Sequence, residues 1–215
     1  MSATLRSWLV SLLWTVLIVV LSVAYVDRPV ADLFLSHPRS VPSLLATQGT
    51  ILIFLAVVPL GLFCLLYFAI SHATGKALPA WMDTPVLCSF ASTLAIAGER
   101  VLKFLFGRYT TTAYTSLGTY GFLPLQGAQK YSTDSFPSGT AIVAASIAMV
   151  LWTTRPRLRI PTAAITVLLC ALLVVNLEHW LGDVVAGAYV GALLGWAAVH
   201  IALGMGERHP GRSAH

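Results

Sequence analysis

Six stretches of the chain, Trp8–Val26, Thr50–Ile70, Thr84–Phe106, Gly139–Thr153, Ile160–Leu177 and Leu181–Leu203, are almost continuously apolar. A bilayer core about 30 Å thick takes about 20 such residues per crossing helix, and backbone facing lipid must satisfy its hydrogen bonds internally. The expected fold is therefore all-α: a six-transmembrane-helix bundle. Charge usage excludes most alternatives. Charged residues make up only 10% of the 215-residue chain, against about 25% in a soluble domain. That is too few to cover a water-facing surface, and it removes most soluble enzymes, disordered chains and secreted disulfide scaffolds. The 13 Lys/Arg are spread along the chain rather than gathered on one face, so no nucleic-acid partner is expected. Cys64, Cys88 and Cys170 stand alone in apolar runs with no metal or redox spacing, and read as small core hydrophobes.

The first span has Arg6 before it and Ser22-Val23-Ala24 after it, as a signal peptide would. Its apolar run exceeds the usual core of about 7–15 residues, so a retained helix is expected. With six spans, Arg6, Lys76, Arg155, Arg157, Arg159, Arg208 and Arg212 share one side, opposed by Arg28, Arg39, Arg108 and Lys130. The majority side is the cytoplasmic one. Both termini are then cytoplasmic, in what is expected to be the bacterial inner membrane, and the polar segment Gly107–Pro137 faces out. Residues 1–204 read as one integral-membrane domain and 205–215 as a polar tail. A loop of about 30 residues in so compact a chain is usually functional or disordered.

Ionisable groups within a span cost a few kcal/mol each, so each asks for a reason. Glu99, Arg100 and Lys103 lie near the outer end of the third span, with Arg108 a turn beyond. Glu99 and Lys103 are four apart and suit a helical ion pair. The remaining cations suit an anion, most naturally phosphate. His179 and Asp183, also four apart, would share a helix face, and the carboxylate would fix the imidazole tautomer. An interfacial His with a capping Asp has the same spacing. Ser135-Phe136-Pro137-Ser138-Gly139-Thr140 opens the fourth span. It serves equally as an ordinary helix cap or as an amide-lined anion site.

Taken in order, these features resemble the type-2 phosphatidic acid phosphatase superfamily over about Glu99–Gly191. The family has three motifs: a Lys with Arg-Pro seven residues on, a Pro-Ser-Gly-His, and a Ser-Arg followed by a His with an Asp four beyond it. Here Lys103 and the Gly107-Arg108 element match the first, while Thr110-Thr111 stands for Arg-Pro. Pro137-Ser138-Gly139 matches the second, with Thr140 in place of His. His179 and Asp183 match the third, followed by Val184-Val185-Ala186-Gly187, while Leu172-Leu173 replaces Ser-Arg. The resemblance implies a lipid phosphatase that uses no metal and no cofactor. It assigns His179 as the nucleophile that becomes a phosphohistidine and Asp183 as its orienting partner. Lys103, Arg108, Ser138 and the Gly139 amide would bind the phosphate.

The implied substrate is an amphiphilic phosphorylated lipid held in the bilayer; no protein partner is expected. Polyprenyl diphosphate or phosphate, phosphatidate, phosphatidylglycerophosphate and lipid A phosphates all qualify. The family's second-motif histidine protonates the leaving group, which Thr140 cannot do. Such catalysis is worth about 10²–10⁴-fold. Phosphate leaving from a diphosphate needs the proton less than an alkoxide does, so a diphosphate preference is one expectation. Glu178, Asp134 or Tyr131 acting as the acid is another, and a weakened or inactive member that only binds phosphorylated lipid is a third. A small transporter would need paired charges along several spans and broken helices at mid-membrane, which the clustering at one face disfavours. A haloperoxidase is disfavoured because those relatives are soluble.

Overall fold

A computed structural model describes residues 3–36, 43–127 and 131–207 of the chain. Arg39, Lys130, Arg208, Arg212, the Tyr131 side chain and most of the C-terminal tail lie outside the described residues. The helices are α1 (Ala3–Leu21), α2 (Asp27–Ser36), α3 (Ser43–Ala73), α4 (Asp83–Phe106), α5 (Thr111–Leu117), α6 (Gly139–Thr154), α7 (Arg159–Val175) and α8 (Leu181–Glu207). Among the described residues the only β pairing is an isolated antiparallel bridge between Arg108 and Phe122. Among the residues described with their side chains, four helical segments are long and apolar enough to cross a membrane: Leu5–Ser36, Ala80–Phe106, Pro156–Val175 and Leu181–Ala202. Val57–Ala73 and Gly139–Thr154 are shorter apolar helices. The protein is an integral membrane protein with the expected all-helical fold.

The shortest of these, α6, has 16 residues, which is about 24 Å of helix. It sits at the centre, packed by α4, α7 and α8. Its closest neighbour is α8, and the sequence explains why. Gly187, Gly191 and Gly195 repeat every four residues along α8 and face α6, where a Cβ would press on the carbonyl oxygens of Ser138, Ile142 and Ser146 in turn. Lipid tails are as apolar as leucine, so membrane helices associate through such close backbone approach rather than by hydrophobic exclusion.

Two boundaries differ from the sequence expectation. The first span does not end at Val26: a π-helical turn, Ser22–Val26, joins α1 directly to α2. Pro29 lacks the N–H that would extend an α-helical ladder, and the wider π turn falls just before it. Such turns recur at functional sites, and this one delivers Asp27 into the protein interior. The second difference is in the long segment between α4 and α6, which contains α5. Thr110 caps this helix through Ala113 N–H, and Gly118 ends it in the left-handed conformation. Seven residues are too few to show a helical period in sequence.

Candidate active site

The C-terminal end of α4 and the N-terminal ends of α6 and α8 converge with the α1–α2 junction, and each contributes polar groups. Gly107 ends α4 in the left-handed conformation, at φ 54°. A Cβ there would run into the Leu123 carbonyl, so only glycine allows the chain to turn at this point. The turn sends Arg108 inward, where its guanidinium is 0% exposed. Its Nη1 donates to Asp183 Oδ1 at 2.5 Å; Nη2 donates to Asp27 Oδ2 at 2.6 Å and to Tyr120 Oη at 3.0 Å. The rings of Tyr120, Phe122 and Trp180 lie 5.1–5.4 Å from its central carbon, within cation–π range. Burial alone would lower the Arg108 pKa. Asp183, then Asp27, and finally Tyr120 more than reverse this, so it is held above the ordinary arginine value and stays charged.

Asp183 is the hub. Its Oδ2 accepts from Ser135 Oγ at 2.5 Å and from the Trp180 N–H at 3.4 Å. Its backbone carbonyl accepts from Ser138 N–H at 3.1 Å, which joins the start of α6 to the first turn of α8. His179 Nδ1 is buried, makes no hydrogen bond, and lies 3.7 Å from Asp183 Oδ2. That is beyond hydrogen-bond reach but close enough for charge to matter. The His179 side chain is 16% exposed, so with Nδ1 turned inward, Nε2 is the ring nitrogen left for chemistry. The ring's position is set by its backbone, as the Glu178 and His179 N–H groups both donate to the Leu173 carbonyl.

Lys103, one helical turn before Arg108, is also buried. Its Nζ lies 2.9 Å from Glu99 Oε1 and 3.6 Å from Asp134 Oδ2. The Glu99 carboxylate in turn presses on Gly139 at the start of α6, where an added Cβ would come within 2.6 Å of Glu99 Cδ. Gly139 is therefore required for packing, quite apart from any role of its amide. Ser138 Oγ accepts weakly from Ala141 N–H, at 3.4 Å, as the α6 cap.

The sequence-expected residues thus come together, but with a different charge balance. Sequence alone suggested several cations around one carboxylate. In the fold, Lys103 and Arg108 face four carboxylates, Asp27, Glu99, Asp134 and Asp183. Arg100 points outward and is exposed. Of the three groups considered as a substitute acid, Asp134 reaches Lys103, and Glu178 neighbours His179. Among the described residues, no three His, Cys, Asp or Glu side chains are grouped to hold a metal ion.

Thr110, Thr111 and Leu173, where the family pattern fails, each have a local structural role. Thr110 caps α5, and Thr111 Oγ1 donates to the Leu177 carbonyl, fastening α5 to the turn before α8. Leu173 is a buried core residue packed with Ala141 and Val184. Thr140 is 2% exposed in the first turn of α6. Sequence reasoning missed Asp27, Tyr120 and the bond from Ser135 to Asp183. For Asp27 the one signal was an acid at the end of an apolar helix, next to Arg28 and Pro29, which reads more readily as a loop.

The PAP2 superfamily model matches residues 84–204, more than half of the chain. The chain belongs to the PAP2 superfamily. Its PAP2 fold is similar to that of a transmembrane PAP2-type phosphatidylglycerolphosphate phosphatase from Bacillus subtilis. The TM-score is 0.52 at 17% identity, over 90% of this chain and 96% of the other. No curated protein matches the chain. The PAP2 match begins at residue 84, so α1, α2 and Asp27 lie outside it.

Proposed function

We propose that this PAP2 member is a membrane lipid-phosphate or lipid-diphosphate phosphohydrolase that works through His179. The observation that carries this reading is the cluster around Asp183, in which the start of α6, Ser135, Arg108 and the His179 ring meet on one carboxylate. His179 Nε2 bonds to phosphorus as the P–O bond to the leaving group breaks, and the electron pair departs with that oxygen, which takes a proton from water. A second water then attacks phosphorus, releasing inorganic phosphate and restoring the ring. Lys103, with Ser138 and the Gly139 amide, is assigned to the phosphate oxygens. Arg108, having no exposed surface, is assigned to holding Asp183 rather than to touching substrate. The site is assigned to the outer face of the bacterial inner membrane, with both termini cytoplasmic, on the Lys/Arg distribution.

Thr140 shapes the substrate preference. With no histidine to protonate the leaving oxygen, a diphosphate, whose leaving phosphate needs the proton least, should outpace a monophosphate of the same chain. The test is phosphate release by purified protein from matched lipid mono- and diphosphates. Wild type should favour the diphosphate, His179→Ala should abolish release, and Thr140→His should raise the monophosphate rate by about 10²-fold or more. Faster release from the monophosphate by wild type would sink the preference.

A second reading, that the protein binds phosphorylated lipid without turnover, is favoured by one observation. Each candidate phosphate-binding cation is already paired with two carboxylates. Wild type that binds lipid phosphates but releases none, with activity gained in Thr140→His, would establish that reading.

A further inference from the structure

We propose that Asp27, on the helical rod outside the family-matched region, is a positioning residue for His179. It holds Arg108 against Asp183 and supplies the second negative charge that stabilises the ring while it carries the phosphoryl group. This rests on the hydrolase reading above.

The geometry argues against a merely structural ion pair. Asp27 is 1% exposed, at the end of the π turn. Its Oδ2 takes Arg108 Nη2, while its Oδ1 accepts from the N–H of Gly182, the residue before Asp183, at 3.1 Å. A Cβ at Gly182 would stand 3.3 Å from Asp27 Oδ2, so glycine leaves the carboxylate room to approach this closely. Asp27 and His179 also line the same cavity of about 10 Å³, together with Thr111, Leu177 and Trp180. That is space for about one water, so Asp27 and His179 border one small enclosed space.

Charge counting gives the consequence. Arg108 is already matched by Asp183, and one carboxylate would neutralise it. Asp27 leaves the trio with a net charge of one negative in a water-poor setting beside the ring. An imidazole bonded to phosphorus through Nε2 and still carrying its Nδ1 proton is positively charged. A net negative wall stabilises that state more than it does the free neutral ring, and only such differential stabilisation speeds a reaction. Asp27 of α2 and Thr111 of α5 line the cavity with His179, Asp183 of α8 lies 3.7 Å from Nδ1, and Arg108 is paired with both carboxylates.

The full-length protein in detergent should be compared as wild type, Asp27→Asn and Asp32→Asn. Asp32 lies on the same helix, where its carboxylate accepts from Tyr114 Oη in an exposed hydrogen bond and makes no bond to Arg108, Asp183 or His179 among the described residues. Asp27→Asn is expected to lower kcat at least about tenfold with KM within about twofold, while Asp32→Asn changes neither. A KM rise that accounts for the whole loss in kcat/KM, or an unchanged kcat in folded Asp27→Asn, overturns the proposal. Inorganic vanadate, which can bond to a ring nitrogen in the five-coordinate geometry of a transferring phosphoryl group, gives a readout that needs no turnover. Its affinity should fall at least about tenfold in Asp27→Asn and recover in Asp27→Asn/Arg108→Gln, where the net charge is again one negative. If Asp27→Asn does not reach the folded state, the double variant is compared with Arg108→Gln instead, and tighter vanadate binding by Arg108→Gln is expected. Equal vanadate affinity in each compared pair, or none in wild type, overturns the proposal. Wild type that binds vanadate but hydrolyses no lipid would defeat the hydrolase reading alone, and the vanadate comparison would still decide Asp27.

Discussion

The two carboxylates on Lys103 are not equivalent, and on the hydrolase reading the difference bears on how a phosphate would reach that cation. Asp134 is 3.6 Å away with a quarter of its side chain exposed; Glu99 is 2.9 Å away and buried, packed on Gly139. A phosphate arriving at Lys103 and the first turn of α6 approaches the Glu99 charge directly. Replacing Glu99 by Gln removes that repulsion while Asp134 still partners Lys103. Glu99→Gln is expected to lower KM for a lipid phosphate by about tenfold, since like charges at such range cost a kcal/mol or more. An unchanged or raised KM, from phosphate release at fixed lipid-to-detergent ratio, would show that Glu99 does not compete with substrate. At this scale spacing alone suggested that Glu99 would meet Lys103 and His179 would lie beside Asp183, as they do, while their roles came only from the family resemblance. The more distant partners were not legible, because Asp27 stands 81 residues from Arg108 along the chain, and no local pattern records such a meeting.

At the scale of elements, site geometry depends on how closely α8 lies on α6. The Ser138–Asp183 bond joins their first turns, and the glycine ladder continues that contact below. Gly191→Ala would place a methyl against the Ile142 carbonyl and force the helices apart. Such overpacking costs about 1–3 kcal/mol. Gly61→Ala on α3 supplies the contrast, since its Cβ would meet Ser89 at an ordinary 3.8 Å and alanine favours helix. Thermal unfolding in detergent should show Gly191→Ala several degrees below wild type and Gly61→Ala level with or above it. Gly191→Ala should also lose phosphate release although it lies two turns from Asp183, and full activity there would refute the coupling. The long helices were readable because a spanning backbone must bond to itself and advertises this by length and apolarity. The π turn and α5 were not. One hides inside an unbroken apolar run, and the other is held by tertiary bonds from Thr110 and Thr111 rather than by its own periodicity.

For the whole molecule, the attachment of α1 bears on how a lipid reaches the site. One end is tied to α8 by Tyr189 Oη donating to the Trp8 carbonyl at 2.9 Å, with Trp8 stacked beside Trp196. The other is tied by Asp27 to Arg108 and by Tyr120 Oη to the Val23 carbonyl at 2.7 Å. Between these ties α1 stands off from α4 and α8, leaving an apolar cleft of about 680 Å³ that includes Val19, Phe106, Phe136, Pro137 and Ala186. Phe136 and Pro137 lead directly into Ser138, so the cleft ends at the turn assigned above to the phosphate. A chain leaving the bilayer for this cleft exchanges one hydrocarbon setting for another and gains little hydrophobic energy. On the hydrolase reading, what the cleft would offer is alignment of the headgroup with His179, which would appear in kcat/KM rather than in lipid affinity. Ala186→Phe, narrowing the cleft beside the site, is expected to lower kcat/KM at least about tenfold for a long-chain lipid phosphate. A short-chain, water-soluble phosphate has no tail to align and should stay within about twofold. Parallel losses on both substrates would mean that the substitution damaged the site itself, and no loss on either would mean that the tail lies elsewhere.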